Sequence, residues 1–204
     1  MSTATLQRRP LVKQILAGAD DNLLVIAGLG SPNWDITDAG DRPLNMPLWG
    51  AMGAPVSMGL GLALAQPTKR VLVITGDGDM LMSLGALTTV AAQQPDNLAI
   101  CVLDNEKFGE TGNQATATSP RNNGPTDSGA GTDLGLVAKG CGIADSALVR
   151  TENEVPQLVS DLRKKKGPLF RVVKVMVEKL DFVMPPQDGA HLKDRFRQAL
   201  LGRP

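Results

Sequence analysis

Two polar loops carry the residue types that could do chemistry in this sequence, and each follows a short apolar run. Gly76-Asp77-Gly78-Asp79 comes directly after residues 71–75, and Asp104-Asn105-Glu106-Lys107 comes after residues 98–103. Glycines let the backbone turn sharply and approach a ligand closely, and a helix that starts there presents free N–H groups to a phosphate. Asp77 would repel that phosphate unless a cation lay between them. Mg²⁺ takes hard oxygen ligands and is often held by one or two carboxylates plus phosphates, so it is the ion we expect.

The second loop strengthens this interpretation because of its expected place in the fold. Ligands bind at the carboxyl ends of parallel strands, so Asn105 can supply an oxygen to the same ion as Asp77. Gly-Asp-Gly alone leaves an alternative open, namely a simple strand-to-helix turn in which Asp77 or Asp79 caps the helix. Oxygen-bearing side chains after two successive strands favour the metal and phosphate interpretation.

Apolar patterning predicts strands that alternate with helices. The strands are expected at 23–27, 71–75, 98–103, 147–149 and 169–177. The helices are expected from Pro10 to a stop at Gly18 and at 55–65, 80–93, 133–139, 152–165 and 191–201. Polar, Pro- or Gly-containing segments at 28–49 and 105–132 indicate long loops. This order predicts an α/β fold, a three-layer doubly wound parallel sheet with helices on both faces, in a single domain over residues 1–204.

The helix expected at 55–65 is apolar on every side, which is typical of a buried helix. Gly59 and Gly61 lie inside it. Each glycine costs about 1 kcal/mol relative to alanine in a helix, unless a close backbone neighbour makes use of it. Gly28-Leu29-Gly30 also follows a strand, but a dinucleotide fingerprint needs a third glycine at the position of Asn33. We therefore do not interpret that segment as a binding site.

Composition excludes several classes of function. Lys plus Arg and Asp plus Glu both number 21, for a formal net charge of zero, which is not the electrostatic pattern of a nucleic-acid-binding protein. No apolar run approaches the roughly 18 residues of a membrane span, and the N-terminus lacks a signal-peptide pattern. Two cysteines, Cys101 and Cys141, make neither a disulfide framework nor a zinc site. We expect a cytoplasmic protein with reduced thiols.

The spacing of the two loops resembles a known signature. Gly76-Asp77-Gly78, 26 further residues and then Asn105 is similar to the diphosphate signature of thiamine-diphosphate enzymes. Trp49-Gly50-Ala51-Met52-Gly53, followed by a helix of small residues, resembles their aminopyrimidine-binding segment. The resemblance covers most of the chain, including residues 108–114. Within the family it is nearest to the beta subunit of sulfopyruvate decarboxylase and the C-terminal half of phosphonopyruvate decarboxylase, and it implies the thiamine-diphosphate-binding fold.

The resemblance implies a role for each residue of the two loops. Asp77 and Asn105 would ligate Mg²⁺ through side-chain oxygens, and the backbone carbonyl of Lys107 would be a third ligand. Gly78 and Asp79 would offer backbone N–H groups to the diphosphate of thiamine diphosphate.

The resemblance also implies contacts with the aminopyrimidine ring. The carbonyl of Gly50 would accept a hydrogen bond from the 4′-amino group, and the Met52 side chain would lie under the bent cofactor as an adaptable apolar support. Glu106, Lys107 and Glu110 depart from the family pattern and leave the substrate less certain than the cofactor. The full set of expected cofactor-binding residues is Gly50, Ala51, Met52, Gly76, Asp77, Gly78, Asp79, Asn105, Lys107, Phe108 and Gly109.

A further implication is that half of the enzyme lies on another polypeptide. In the family, a glutamate that protonates N1′ of the pyrimidine belongs to a separate pyrimidine-binding domain, for which 204 residues leave no room. We therefore expect a pyrimidine-binding alpha subunit in an α₂β₂ or larger assembly. Residues 109–131 form a candidate lid loop over the site. His191, the one histidine, is expected at the surface.

Three functions remain open at this point. The first is a subunit that decarboxylates a small 2-oxo acid, releasing CO₂ and an aldehyde. The second is a subunit of a split acetolactate-synthase-like carboligase or another enzyme of the same cofactor class, whose first chemical steps are shared. The third is a non-catalytic module that binds thiamine diphosphate.

Overall fold

The computed structural model describes residues 4–120 and 131–203. The strands are β1 (Leu23–Ala27), β2 (Asn45–Pro47), β3 (Arg70–Gly76), β4 (Leu98–Asp104), β5 (Lys107–Phe108), β6 (Gln114–Ala115), β7 (Asp145–Val149) and β8 (Leu169–Lys174). The helices are α1 (Arg8–Leu16), α2 (Ser31–Asp38), α3 (Pro55–Ala65), α4 (Asp77–Leu81), α5 (Ala86–Gln93), α6 (Leu134–Cys141), α7 (Val155–Lys164) and α8 (Gly189–Leu201).

The centre of the molecule is a six-stranded sheet in the order β2-β1-β3-β4-β8-β7. Every neighbouring pair in it is parallel. Helices α1, α2 and α7 pack their apolar side chains on one face of the sheet. Helices α3, α4, α5, α6 and α8 contribute to the core on the other face. The predicted three-layer α/β architecture is therefore confirmed.

The central strands are apolar along their whole length because both of their faces are covered. All five residues of β1 and all seven of β4 are buried. Strand β3 lies between β1 and β4, with Gly76 paired to Leu103. The loops that follow β1, β3 and β4 therefore open at the same edge of the sheet.

The segment predicted as a loop at 28–49 is not one, because it contains α2 and β2. Pro32 is in the first turn of α2, where the missing N–H of proline has no helical partner to lose. Trp34 and Ile36 are buried, so the helix is held by packing. Pro47 ends the edge strand β2, a position where a proline costs the sheet little.

The single helix predicted at 80–93 is also wrong. Helix α4 ends at Leu81, and α5 starts at Ala86 after Gly85. Between them the chain forms turns that are closed by hydrogen bonds between residues three positions apart. One example is the bond from the N–H of Ser83 to the carbonyl of Met80. Apolar residues at helical spacing on both sides concealed this break.

The polar segment predicted as a loop at 105–132 contains some regular secondary structure. Strands β5 and β6 pair antiparallel, and a 3₁₀ turn at Gly109–Thr111 lies between them. Residues 121–130, which belong to the predicted lid at 109–131, lie outside the described residues. The remaining predicted elements agree with the structure to within a few residues, and a 3₁₀ turn at Glu152–Glu154 precedes α7.

Helix α3 is only half buried, contrary to the prediction. Met58 and Leu64 are 36% and 49% exposed. The buried side includes Gly59, where a Cβ atom would overlap a methyl group of Val73, whereas a Cβ at Gly61 would meet no atom within 4 Å. Of the two glycines in α3, Gly59 is therefore the one that allows the helix to pack closely on strand β3. In the described ranges, no helix has the length and apolar character to cross a membrane.

We expect Gly59→Ala to lower the free energy of unfolding by about 1–3 kcal/mol, because the added methyl group overpacks the contact with β3. Gly61→Ala is the matched control on the same helix, and we expect it to be neutral or to stabilise by up to about 1 kcal/mol. Urea denaturation of both variants measures the difference. Equal stabilities would contradict the assigned contact with Val73.

Candidate cofactor and metal site

A cleft opens at the carboxyl ends of β1, β3 and β4, and most of the predicted site residues line it. Ligands of parallel sheets bind at this kind of position. The predicted residues that line the cleft are Met52, Gly76, Asp77, Gly78, Asp79, Asn105, Lys107, Phe108 and Gly109. Gly50 and Ala51 are not among its lining residues but lie on the same segment as Met52. Gly50 has a φ of 62°, which glycine adopts without strain.

Asp77 is the first residue of α4 and is 1% exposed. Its Oδ2 atom accepts hydrogen bonds from the hydroxyls of Thr116 at 2.5 Å and Thr118 at 2.9 Å. Burial raises the pKa of Asp77 to about 6, the nearby charge of Asp104 adds to the rise, and the two threonine hydrogen bonds oppose it. The carboxylate is therefore held in place but is short of positive charge.

The side-chain oxygens around Asp77 make more short oxygen–oxygen contacts than there are hydroxyl protons to form hydrogen bonds. Thr118 Oγ1 lies 2.9 Å from Asp77 Oδ2, 2.9 Å from Asp104 Oδ1 and 2.8 Å from Thr116 Oγ1. With the contact between Thr116 and Asp77, four short oxygen–oxygen contacts share two hydroxyl protons. Ionised carboxylates supply none, so a further proton or a metal cation fits the charge of this cluster.

Asn105 and Lys107 form a local turn beside Asp77. The side-chain oxygen of Asn105 accepts a hydrogen bond from the backbone N–H of Lys107 at 3.0 Å, which fixes the amide and the following peptide together. Among the described residues, no three His, Cys, Asp or Glu side chains are grouped as metal ligands. A cation at Asp77 would need amide and carbonyl oxygens as well, and Asn105 and Lys107 carry both kinds. The donor set fits Mg²⁺.

A buried ion-pair cluster lies behind this turn. Lys174 Nζ is 2.7 Å from Asp104 Oδ2 and 2.8 Å from Glu106 Oε1. Burial lowers the pKa of Lys174, but hydrogen bonds to the two carboxylates outweigh that effect and raise it, so the lysine is charged. Glu106 has a φ of 63°, an uncommon conformation for a residue with a side chain.

Asp79 connects three segments of the site through its side chain. One oxygen accepts the N–H of Gly53, and the other accepts the hydroxyl of Thr75. Burial raises the pKa of Asp79. The hydrogen bonds from Gly53 and Thr75, and a weaker contribution from the N–H of Leu29, oppose that rise. The segment that contains Met52 is thus tied to the loop after β3.

We expect Asp79→Ala to lower the free energy of unfolding by about 2–4 kcal/mol, because it leaves the buried hydroxyl of Thr75 and the partly buried N–H of Gly53 without their acceptor. Urea denaturation of the ligand-free chain measures this loss. Asp133→Ala removes the N-cap of α6 and should cost only about 1 kcal/mol. A loss for Asp79→Ala no larger than that of the cap variant would contradict the role assigned to Asp79.

The ring of Phe108 packs directly on Gly78, where a Cβ atom would overlap the ring. A glycine at this position therefore brings the hairpin of β5 and β6 against the start of α4. Gly78 is part of the first turn of α4. The ring of Phe108 therefore lies beside the backbone N–H groups that are expected to face a phosphate.

The loop after β1 contributes cleft residues that were not predicted from the sequence. Leu29, Gly30, Ser31 and Pro32 line the cleft at the start of α2. The glycine-containing segment Gly28-Leu29-Gly30-Ser31 after a buried strand could have indicated this part of the site. It was rejected because it lacks the third glycine of a dinucleotide fingerprint. The free N–H groups of this helix start are a second place that suits an oxyanion.

Arg8 and Glu110 also line the cleft, and sequence spacing gave no indication that they meet. Arg8 is 5% exposed, and its Nη1 atom lies 3.0 Å from Oδ2 of the buried Asp35. Glu110 accepts a hydrogen bond from the indole N–H of Trp34 at 3.2 Å. His191 is exposed at the start of α8, and Cys101 is buried in β4, where burial raises the pKa of its thiol to about 12.

Comparisons with known proteins agree with this geometry. Residues 34–173 match the family described as thiamine pyrophosphate enzyme, C-terminal TPP binding domain. The chain is 32% identical over 197 residues to sulfopyruvate decarboxylase subunit beta of Methanocaldococcus jannaschii, covering 95% of this chain and 97% of that one. It is 30% identical to phosphonopyruvate decarboxylase of Streptomyces viridochromogenes, covering 96% of this chain and 47% of that protein.

Solved structures support the same fold. The 2-oxoglutarate:ferredoxin oxidoreductase from Magnetococcus marinus superposes with a TM-score of 0.68 at 18% identity, covering 93% of this chain and 74% of that chain. A thiamin diphosphate-dependent enzyme from Mycobacterium smegmatis, described in its structure as putative, also superposes with a TM-score of 0.68, at 20% identity, covering 87% of this chain and 33% of that chain.

Proposed function

Since the chain belongs to the family of thiamine pyrophosphate enzymes, through their C-terminal cofactor-binding domain, we propose that it is the beta subunit of a thiamine-diphosphate-dependent 2-oxo acid decarboxylase. The reaction releases CO₂ and an aldehyde, and the substrate is a small 2-oxo acid of the sulfopyruvate or phosphonopyruvate kind. The observation that carries the proposal is the meeting of Met52, Asp77, Asn105 and Lys107 at one cleft. Relatives of nearly equal length are named beta subunits of sulfopyruvate decarboxylase.

The chain's own residues would hold thiamine diphosphate by its two ends. Asp77, Asn105 and the carbonyl of Lys107 would bind Mg²⁺, which in turn binds the diphosphate. Backbone N–H groups of Gly78 and Asp79 would complete the diphosphate site. The shortage of protons around Asp77 is the structural feature that such a cation would satisfy.

The other end of the cofactor belongs to the segment that precedes α3. The carbonyl of Gly50 would accept a hydrogen bond from the 4′-amino group, and Met52 would support the bent cofactor from below. Asp79 holds this segment through the N–H of Gly53, so the two binding regions keep a fixed separation. Fixed separation matters because catalysis depends on alignment of the reacting groups.

When bound, the cofactor supplies an electron sink for decarboxylation of 2-oxo acids. This chain contributes binding, orientation and charge compensation to that chemistry. Phe108 and Gly109 line the cleft and would limit the access of water to the bound cofactor on that side. Residues 109–131, the candidate lid, would cover the remaining opening; of these, 121–130 lie outside the described part of the chain.

A partner subunit would supply what this chain lacks. The proposed alpha subunit binds the pyrimidine ring and carries the glutamate that protonates N1′, in an α₂β₂ or larger assembly. Met58, Leu64 and Met82 are 36–64% exposed, and we propose that they contact the alpha subunit. We place the assembly in the cytoplasm.

The test is to purify the full chain with the protein that co-purifies with it, and to assay the complex with thiamine diphosphate and Mg²⁺. Sulfopyruvate, phosphonopyruvate and pyruvate are the substrates to compare. Release of CO₂ with the corresponding aldehyde supports the proposal. Acetolactate from pyruvate would assign a carboligase instead, and binding of the cofactor without any turnover would assign a non-catalytic module.

A further inference from the structure

Lys174 lies where strand β8 ends, directly opposite Asp104 in the parallel pair of β4 and β8. Its ammonium contacts two carboxylates, Asp104 at 2.7 Å and Glu106 at 2.8 Å. The side chains of Lys174, Asp104 and Glu106 are 12%, 3% and 11% exposed. One largely buried cation therefore faces two largely buried carboxylates, so it compensates part of their charge and the three side chains keep a net negative charge.

The two carboxylates flank Asn105, which carries one of the proposed metal-binding oxygens. Asp104 Oδ1 accepts a hydrogen bond from the backbone N–H of Glu106 at 3.1 Å, and the carbonyl of Asp104 accepts one from the N–H of Val175 at 3.0 Å, so the peptides on both sides of Asn105 are held. Glu106 has a φ of 63°, in the left-handed region that is unfavourable for a residue with a Cβ. The side chain of Glu106, in that conformation, contacts the ammonium of Lys174 at 2.8 Å.

The cluster also reaches Asp77 directly. Asp104 Oδ1 and Asp77 Oδ2 each lie 2.9 Å from the same hydroxyl, that of Thr118. Like charges so close repel each other unless a cation is present on at least one side. Lys174 supplies that cation on the side away from the cleft, which leaves the cleft side of Asp77 for a metal ion.

On the basis of the proposed function, we propose that Lys174 is a positioning residue of the metal site: its buried charge holds Asp104 and Glu106 so that Asn105 and Lys107 present their oxygens beside Asp77. Lys174 does not contact the metal or the cofactor in this role. Its contribution is the shape of the β4 loop and the charge balance behind it. Removal of one member of a buried ion pair leaves an uncompensated charge, which is strongly unfavourable.

The experiment measures the Kd of thiamine diphosphate at a fixed, saturating Mg²⁺ concentration by calorimetry on the full chain with its co-purifying partner. We expect Lys174→Gln to raise that Kd tenfold or more, because two carboxylates then repel each other around Asn105. Lys174→Gln combined with Asp104→Asn restores the original net charge of the cluster, and we expect it to recover to within threefold of wild type. Lys165→Gln is the control, because Lys165 also pairs with an aspartate, Asp145, at 2.9 Å, and the side chains are 50% and 33% exposed.

Thermal unfolding without ligand separates loss of folding from loss of the site. If Lys174→Gln does not fold, the combined variant decides: recovery of binding to within threefold supports the proposal, and a tenfold loss overturns it. A folded Lys174→Gln chain that binds as tightly as Lys165→Gln also overturns it. Failure of the wild-type chain to bind thiamine diphosphate with Mg²⁺ would instead overturn the proposed function on which this inference rests.

Discussion

Asp77→Asn is expected to raise the Kd of thiamine diphosphate at fixed Mg²⁺ by about 100-fold or more, because it removes the one carboxylate proposed to bind the ion. An amide keeps the shape of the side chain but not its charge, and a hard divalent cation depends on that charge. Calorimetric titration with and without a chelator measures the effect. Retention of Mg²⁺-dependent binding within a few-fold of wild type would contradict the assignment of Asp77.

The same substitution has an opposite effect on the stability of the ligand-free chain. Burial raises the pKa of Asp77 from 3.8 to about 6 in the folded chain, so its contribution to stability is present below pH 4 and is lost as the pH rises through about 6. A shift of this size corresponds to about 2–3 kcal/mol. We therefore expect Asp77→Asn to gain that much relative to wild type between pH 4 and pH 7.

Urea denaturation at the two pH values tests this expectation. Asp96→Asn is the control, because the side chain of Asp96 is 70% exposed and its ion pair is with Lys166, which is 86% exposed. We expect its stability to follow wild type at both pH values. A difference between Asp77→Asn and wild type that does not change with pH would show that Asp77 is not a strained carboxylate. Stability gained together with binding lost is the signature of a functional group kept at a cost in stability.

The second large effect concerns the isolated chain: we expect the proposed decarboxylation to be at least about 10³-fold slower with this chain alone than with its complex with the proposed alpha subunit. General acid–base catalysis contributes about 10²–10⁴-fold, and we propose that the carboxylate which supplies it belongs to the alpha subunit, because the described cleft carboxylates already accept hydrogen bonds. Asp77 and Asp79 are held by hydrogen bonds, and Glu110 accepts the indole N–H of Trp34.

The measurement is turnover by the full chain with thiamine diphosphate and Mg²⁺, before and after addition of the purified partner. Binding of the cofactor to the isolated chain is measured alongside, so that absence of turnover is not confused with absence of cofactor. Full activity of the isolated chain would overturn the proposed division of the active site between two polypeptides.

Strand order alone predicted that Asp77 and Asn105 would lie at one edge of the sheet, whereas the roles of Gly50, Met52 and Lys107 were predicted from the resemblance to thiamine-diphosphate enzymes. Apolar runs before Asp77 and Asn105 indicated two parallel strands, and the carboxyl ends of such strands meet at one edge. The fold followed from the same alternation of strands and helices. Placing Asp77 near Asn105 required only two strands that follow each other in the sequence, and not the pairing of strands that lie far apart in the chain.

The parts that were missed depend on packing between residues far apart in the chain. Lys174 meets Asp104 because β8 lies beside β4, which local patterning does not reveal. Proline suggested a loop at 28–49, but Pro32 occupies the first turn of α2, where it is tolerated. The contacts of Arg8 with Asp35 likewise join α1 to α2, and sequence spacing carries no record of them.

A crystal structure of the full chain with its partner, grown with thiamine diphosphate and Mg²⁺, is the most direct test of the central claim. We predict an octahedral ion with oxygens of Asp77, Asn105 and Lys107 at about 2.0–2.1 Å, and the diphosphate in the cleft at the carboxyl ends of β1, β3 and β4. An ion without Asp77 among its ligands, or a cofactor bound outside that cleft, would contradict it.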